Sequence, residues 1–162
     1  MTERNLTARC ATAVLAGATI LLLSACGPEA AQRDEASGEV TAASDADVFS
    51  VQVGDCLDMA TIASAAEVET VPTVPCADPH DGEVYAETSL EGDEVPADLA
   101  ELADTFCYDA FEPFIGMAYE ESSVDFSYFA PTEGSWGQGD RAVQCIAVVA
   151  EPTTGTLEGA AV

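Results

Sequence analysis

The chain has 162 residues, 30 Asp and Glu against 4 Arg and no Lys, and a formal net charge of −26 with a sequence pI near 4.1. That balance excludes nucleic-acid binding by phosphate neutralisation and adhesion to anionic lipid through a basic patch, since both need clustered cations. With 48% hydrophobic residues the chain carries enough apolar surface for one folded domain of ordinary size.

The amino terminus reads as an address. Arg4 and Arg9 make a weakly positive start, and Ala11 to Leu23 is an uncharged apolar run of 13 residues. Such a run is too short for a spanning helix, which needs about 20 residues, and suits the apolar centre of a signal peptide. Leu23-Ser24-Ala25-Cys26-Gly27 then resembles a bacterial lipobox: a thiol nucleophile just past the apolar run, preceded by small residues that let a peptidase reach the backbone. The expectation is a lipoprotein signal peptide over 1–25, a diacylglyceryl group on Cys26, and a protein tethered to the extracytoplasmic face of the cell membrane. Loss of 1–25 removes Glu3, Arg4 and Arg9, leaving 29 acids and two arginines, a net −27.

Residues 26–47 read as the lipidated cysteine and a disordered acidic linker, because Val40 is the only large apolar residue there. As a flexible coil this linker would hold the domain roughly 25 Å from the lipid.

The folded domain is expected over 48–162. Val48 to Val53 alternates and ends at Gly54-Asp55, which predicts a strand and a turn. Val68 to Val74 alternates again, with Pro72 demoting it to an edge or a bulge. Glu83 to Leu90 predicts a third strand. Pro96 and Asp98 open a helix whose core stripe is Leu99, Leu102, Ala103, Phe106, Cys107, Ala110 and Phe111. Pro113 is expected to end it, since Glu112 is disfavoured in helical geometry. Val124 to Ala130 predicts a strand, Pro131 to Asp140 a Gly-rich loop around Trp136, and Arg141 to Ala150 the most apolar and central strand. Thr156-Leu157-Glu158 is a candidate edge strand in the tail. The fold class is α+β: a mainly antiparallel sheet with one packed helix and two disulfides.

Four cysteines remain in the domain: Cys56, Cys76, Cys107 and Cys145. In an exported domain they read as two disulfides. Of the three pairings, Cys56–Cys76 would close a local strand–loop–strand unit and Cys107–Cys145 would pin the helix to the late strand. A zinc site of four thiolates is disfavoured, because no CxxC pair is present.

Three stretches order these pieces in a recognisable way. Val53-Gly54-Asp55-Cys56-Leu57, then Val74 to Val84 with Cys76-Ala77-Asp78-Pro79-His80-Asp81-Gly82-Glu83, then Trp136 to Cys145 resemble the septum formation domain of envelope proteins in high-GC Gram-positive bacteria. The helical Cys107 and Thr154 to Gly159 match as well. The resemblance implies an extracytoplasmic role nominally linked to cell division, and says more of place than of mechanism. Family members often carry a transmembrane helix before the domain, a position the lipobox takes here.

Three residues are candidates for binding. His80, the one histidine, is either a ligand or proton shuttle among Asp78, Asp81 and Glu83, or a structural histidine bonded to backbone in a turn, the reading favoured here. Trp136 and Arg141 are either an aromatic plate and donor fork for carboxylates or sugars, or a core lid and an internal ion pair of Arg141 with Asp55 or Asp140. No nucleophile elbow, His-Glu-x-x-His, Ser-x-x-Lys or phosphate-cradling loop with Lys occurs, so no catalytic residue, metal ligand or cofactor is assigned. The reading is a non-enzymatic interaction module held to the membrane by lipid, facing an unknown envelope protein or polymer. The rival is a lipoprotein that binds a solute or divalent cation through its acids.

Overall fold

The computed structural model describes residues 29–62 and 68–162. The signal segment 1–25 and the acylation site Cys26 lie outside the described residues. Six strands form one antiparallel sheet: β1 (Ser44–Asp47), β2 (Cys56–Leu57), β3 (Thr70–Val74), β4 (His80–Ser89), β5 (Asp125–Phe129) and β6 (Ala142–Thr153), ordered β1-β3-β2-β4-β6-β5. The main helix α1 (Leu99–Ile115) covers one face, and a one-turn helix α2 (Glu133–Trp136) sits in the loop before β6.

Strand β6 lies between β4 and β5 and is apolar on both sides because both faces are covered. Val143, Cys145 and Ala147 face α1, where Tyr85, Cys107, Phe111 and Ile115 join them. Ile146 alternates to the other face and packs with Val51, Leu57, Val71 and Val84. Both expected disulfides are present. Cys56–Cys76 joins β2 to the end of β3, and Cys107–Cys145 joins α1 to β6.

Several elements differ from the sequence reading, each for a local reason. Residues 29–47 are not a loose linker. Arg33 bridges Val40, Glu29 bridges Ala46, β1 pairs with β3, and Ala31, Val40 and Ala46 bury a small cluster of their own. The folded unit therefore begins well before residue 48. The strand expected over 48–53 is a 3-10 turn at Val48–Ser50, because the Asp47 carboxylate captures the Phe49 N–H at 2.8 Å and draws the chain out of the ladder.

Pro72 lies on an interior strand, with β1 on one side and β2 on the other. Its carbonyl accepts from Asp58 N at 3.0 Å, beyond the end of the two-residue β2, so the side that lacks an N–H has no ladder partner to lose. Helix α1 runs through Pro113 to Ile115 and closes on Gly116 in the left-handed region (φ 81°). The carbonyl of Asp109, which Pro113 cannot satisfy, belongs to a solvent-exposed residue, and complete burial of Ile115 favours the extra turn. Leu102, expected in the core stripe, is exposed; the buried row is Ala103, Cys107, Phe111 and Ile115.

The tail forms no strand. Gly155 (φ 85°) turns it across the sheet end, Leu157 enters the helix-side core, and Ala161 N–H caps the Ile115 carbonyl at 2.9 Å.

Candidate functional site

The sequence offers two places for chemistry, one around His80 and one around Trp136 and Arg141. The structure closes the first and opens the second.

His80 is buried at the start of β4. Its Nδ1 lies 3.1 Å from the Gly82 carbonyl and its Nε2 lies 2.9 Å from the Gly155 carbonyl. Both ring nitrogens therefore face main chain. Asp81 accepts from the N–H groups of Met59 and Ala60, at 2.5 and 3.0 Å, and fixes the 3-10 turn at Met59–Thr61. Gly82 leaves room for Met59, whose Cγ would lie 2.5 Å from an added Cβ. Glu83, also buried, accepts from the Thr156 hydroxyl at 2.7 Å and Leu157 N–H at 2.5 Å. The run His80-Asp81-Gly82-Glu83 is thus a junction: four consecutive residues hold the 59–61 turn and the carboxy-terminal tail to one strand. Both sulfurs of Cys56 and Cys76 and a His80 ring nitrogen lie within 4.8 Å of one another, but the sulfurs are bonded together and offer no thiolate to a metal. Asp78 makes a backbone turn beside it, with its N–H on the Pro75 carbonyl at 2.8 Å.

Trp136 and Arg141 belong to a loop built by its own caps. Thr132 and Ser135 form a capping box around α2. Ser135 then donates to Asp140 at 2.8 Å, and the other Asp140 oxygen accepts from Ala142 N–H at 3.0 Å, which starts β6. Arg141 lies with its guanidinium carbon 3.7 Å from the Trp136 ring centre, a cation–π stack. Its Nη1 donates to the carbonyls of Trp136 and Asp140 at 2.8 and 2.6 Å. The expected ion pair of Arg141 with Asp55 or Asp140 is not formed. Asp55 belongs to Arg33, which grips both its oxygens at 2.5 and 2.6 Å and also donates to the Ser50 carbonyl at 3.0 Å. Donation to the Asp55 carboxylate raises the Arg33 pKa further above its ordinary value, against a smaller opposing effect of burial. A domain drawn from residue 48 leaves Arg141 as the sole arginine to pair with Asp55, and so misses the arginine lying just before that boundary.

Arg33 and Arg141 border the same cleft, of about 1170 Å³, on the sheet face opposite α1. Its walls are the 30–33 segment, the turn at 47–52, the end of β5 at Tyr128 to Ala130, and the Thr132–Ala142 loop. Gln144 lies in it, its amide nitrogen donating at 2.8 Å to both the Val51 carbonyl and Glu87. The Tyr128 side chain lies across the sheet on the α1 side, where burial raises its hydroxyl pKa and Asp104 of α1 adds to the shift. Four acids, Asp47, Glu69, Glu87 and Asp140, line the cleft beside the two arginines. Trp136, against Arg141, holds the one buried side-chain polar atom among the described residues that lacks a hydrogen-bond partner, its indole Nε1.

A six-stranded antiparallel sheet with one main helix, two disulfides and a His-Asp-Gly-Glu junction defines a small disulfide-stapled α+β domain. The family model for septum formation matches residues 22–145, and the chain belongs to that family. The match spans the 29–47 segment, in keeping with its place in the fold. Similar chains are the proteins named "Putative lipoprotein LppN" of Mycobacterium tuberculosis and Mycobacterium bovis, each 27% identical over 109 residues, which is 67% of this chain. The chain spans 60% of the length of those curated relatives. No solved structure matches it. Among the described residues no helix is long and apolar enough to cross a membrane.

Proposed function

We propose that this protein is an envelope lipoprotein: Cys26 carries the lipid, residues 1–25 are removed, and the domain faces outward from the cell membrane as a non-catalytic interaction module. The lipobox and the two relatives named as lipoproteins support the anchor. The family supports an envelope role linked to septum formation. The observation that carries the binding reading is the cleft where both described arginines meet. Acids outnumber arginines in its lining, which disfavours a simple anion. A hydroxyl-bearing segment of an envelope polymer or protein suits the mixture of carboxylates, the Gln144 amide and Arg141, whose Nη2 makes no hydrogen bond among the described residues. Commitment of His80 to backbone and of all four domain cysteines to disulfides supports a role without catalysis.

A photo-crosslinking residue at Ser89 or Gln138, inside the cleft, tests the reading in growing cells. An adduct is expected that disappears in the Arg141→Ala background while the circular dichroism spectrum is unchanged. Adducts from the exposed face of α1 and none from the cleft would sink it. A fluorescent fusion tests the division link, with enrichment at the septum expected and an even membrane signal counting against it.

A further inference from the structure

We propose that the domain sits directly on the lipid surface, seated on the corner that carries Phe49 and Val53, instead of floating on a long tether. This rests on acylation of Cys26. The first described residue, Glu29, is already fixed in the fold: its carbonyl accepts from Asp47 N–H at 2.9 Å and its backbone bridges Ala46. Only three Cα steps separate Cys26 from Glu29, a reach of at most about 11 Å. Whatever path those residues take, the corner that holds Glu29 stays at the membrane surface. The long coil that would have released it is folded into the domain, held by β1 and by the Arg33–Asp55 pair.

That corner presents apolar side chains to solvent. Phe49 is 65% exposed and Val53 is 54% exposed, two of the three most exposed large apolar side chains among the described residues. A single exposed apolar residue needs no explanation. Along the chain Phe49 is two residues and Val53 six residues from Asp47, the residue bonded to Glu29, and Phe49 lines the end of the cleft that the 30–31 segment also walls. The turn that bears Phe49 is already satisfied: Asp47 accepts the Phe49 N–H, and the Ser50 hydroxyl donates to the Asp47 carbonyl at 2.7 Å. Contact with lipid therefore leaves the polar groups of these bonds paired. The nearby carboxylates of Asp45, Asp47 and Glu69 set the depth, keeping the contact at headgroup level. Because the anchor makes the contact intramolecular, a weak partition is enough to orient the domain. The Trp136–Arg141 end of the cleft then has a fixed attitude to the membrane.

The test uses the full lipidated chain, purified from bacterial membranes and reconstituted in phosphatidylcholine vesicles with brominated acyl chains. A reporter is introduced as Phe49→Trp, with a second, Tyr108→Trp, on exposed α1 across the sheet. Quenching at 49 by about twofold or more is expected, with Tyr108→Trp near the wild-type signal of buried Trp136. Equal quenching at 49 and 108, or none at 49, in protein whose mass shows the diacylglyceryl group would overturn the seating and leave the lipoprotein reading intact. A mass showing unmodified Cys26 would overturn both.

Discussion

Arg33 ties the amino-terminal segment to Asp55, the residue just before β2. Its fork spans both Asp55 oxygens, and Asp55 is 3% exposed, so truncating the arginine leaves a buried carboxylate with only the Gln52 N–H, at 2.8 Å, as partner. Arg33→Ala is therefore expected to lower the unfolding free energy by about 2–3 kcal/mol in urea titrations. The same variant should open residues 29–43 to limited proteolysis. Arg33→Lys keeps the charge but not the fork and should recover only part of the loss. Tyr85 gives the opposite pH dependence to the usual carboxylate. Burial raises its pKa far above the ordinary 10.0, and its hydroxyl donates to the Cys107 carbonyl at 2.6 Å. A folded-state value raised in this way adds stability that is complete below about pH 10 and is lost as pH climbs beyond it. Urea midpoints measured from pH 8 to 11.5 should fall steeply for the wild type. They should fall less for Tyr85→Phe, which cannot ionise. Neither residue announces its role in the sequence. Arg33 lies in a stretch of small and acidic residues that composition marks as unfolded, and its partner is 22 residues away. His80 is more legible in part: its ring does meet main-chain carbonyls, but from the first residue of strand β4 and not from a turn, and one of the two carbonyls belongs to Gly155, 75 residues away.

The elements most legible in the sequence are those whose own residues make the pattern. The period of α1 and the apolar run of β6 follow from the residue pattern, and the favoured one of three cysteine pairings follows from the elements on which the cysteines sit. Strand β1 does not: Ser44-Asp45-Ala46-Asp47 has no strand pattern, and it pairs because β3 offers an open edge and Ala46 finds a fully buried place. The end of α1 is hidden from the sequence because the cost of a proline in the last turn is local, whereas the burial of Ile115 depends on β6 and the tail. The two disulfides differ in what they hold. Cys107–Cys145 closes 38 residues and joins the helix to the sheet, whereas Cys56–Cys76 closes 20 within the sheet. Chain entropy gives ~4 kcal/mol for the first and ~3 kcal/mol for the second. The double variant Cys107→Ala/Cys145→Ala should lose about that larger amount in urea titration and speed amide exchange along α1. Glu83→Ala removes the acceptor for Thr156 and Leu157 and leaves the tail to the helix-end bonds. Exchange at Leu157 should rise at least tenfold, or about 1.4 kcal/mol, before the sheet is affected.

At the scale of the whole molecule, self-repulsion dominates the electrostatics. Two arginines face 28 acids within the described residues, and each arginine is already engaged. Most carboxylates are exposed and lie in water, where a Debye length of about 10 Å at 0.1 M salt screens their long-range repulsion. Raising NaCl from 0.02 to 0.5 M should therefore raise the melting temperature by several degrees, on the order of 3–6 °C. The same measurement separates an interaction module from a cation-binding protein. Diffuse association follows ionic strength and valence, so Ca²⁺ and Mg²⁺ at equal concentration should shift the melting temperature alike, with effects reached only in the millimolar range. A dedicated calcium site would act differently. Six to eight oxygen ligands at fixed distances discriminate between the two ions and give a curve that saturates. Parallel Ca²⁺ and Mg²⁺ titrations at constant ionic strength, read by differential scanning fluorimetry, are expected to superimpose. A calcium curve that saturates while magnesium stays flat would turn the acids from a solvated coat into a binding site and move the protein to the rival class.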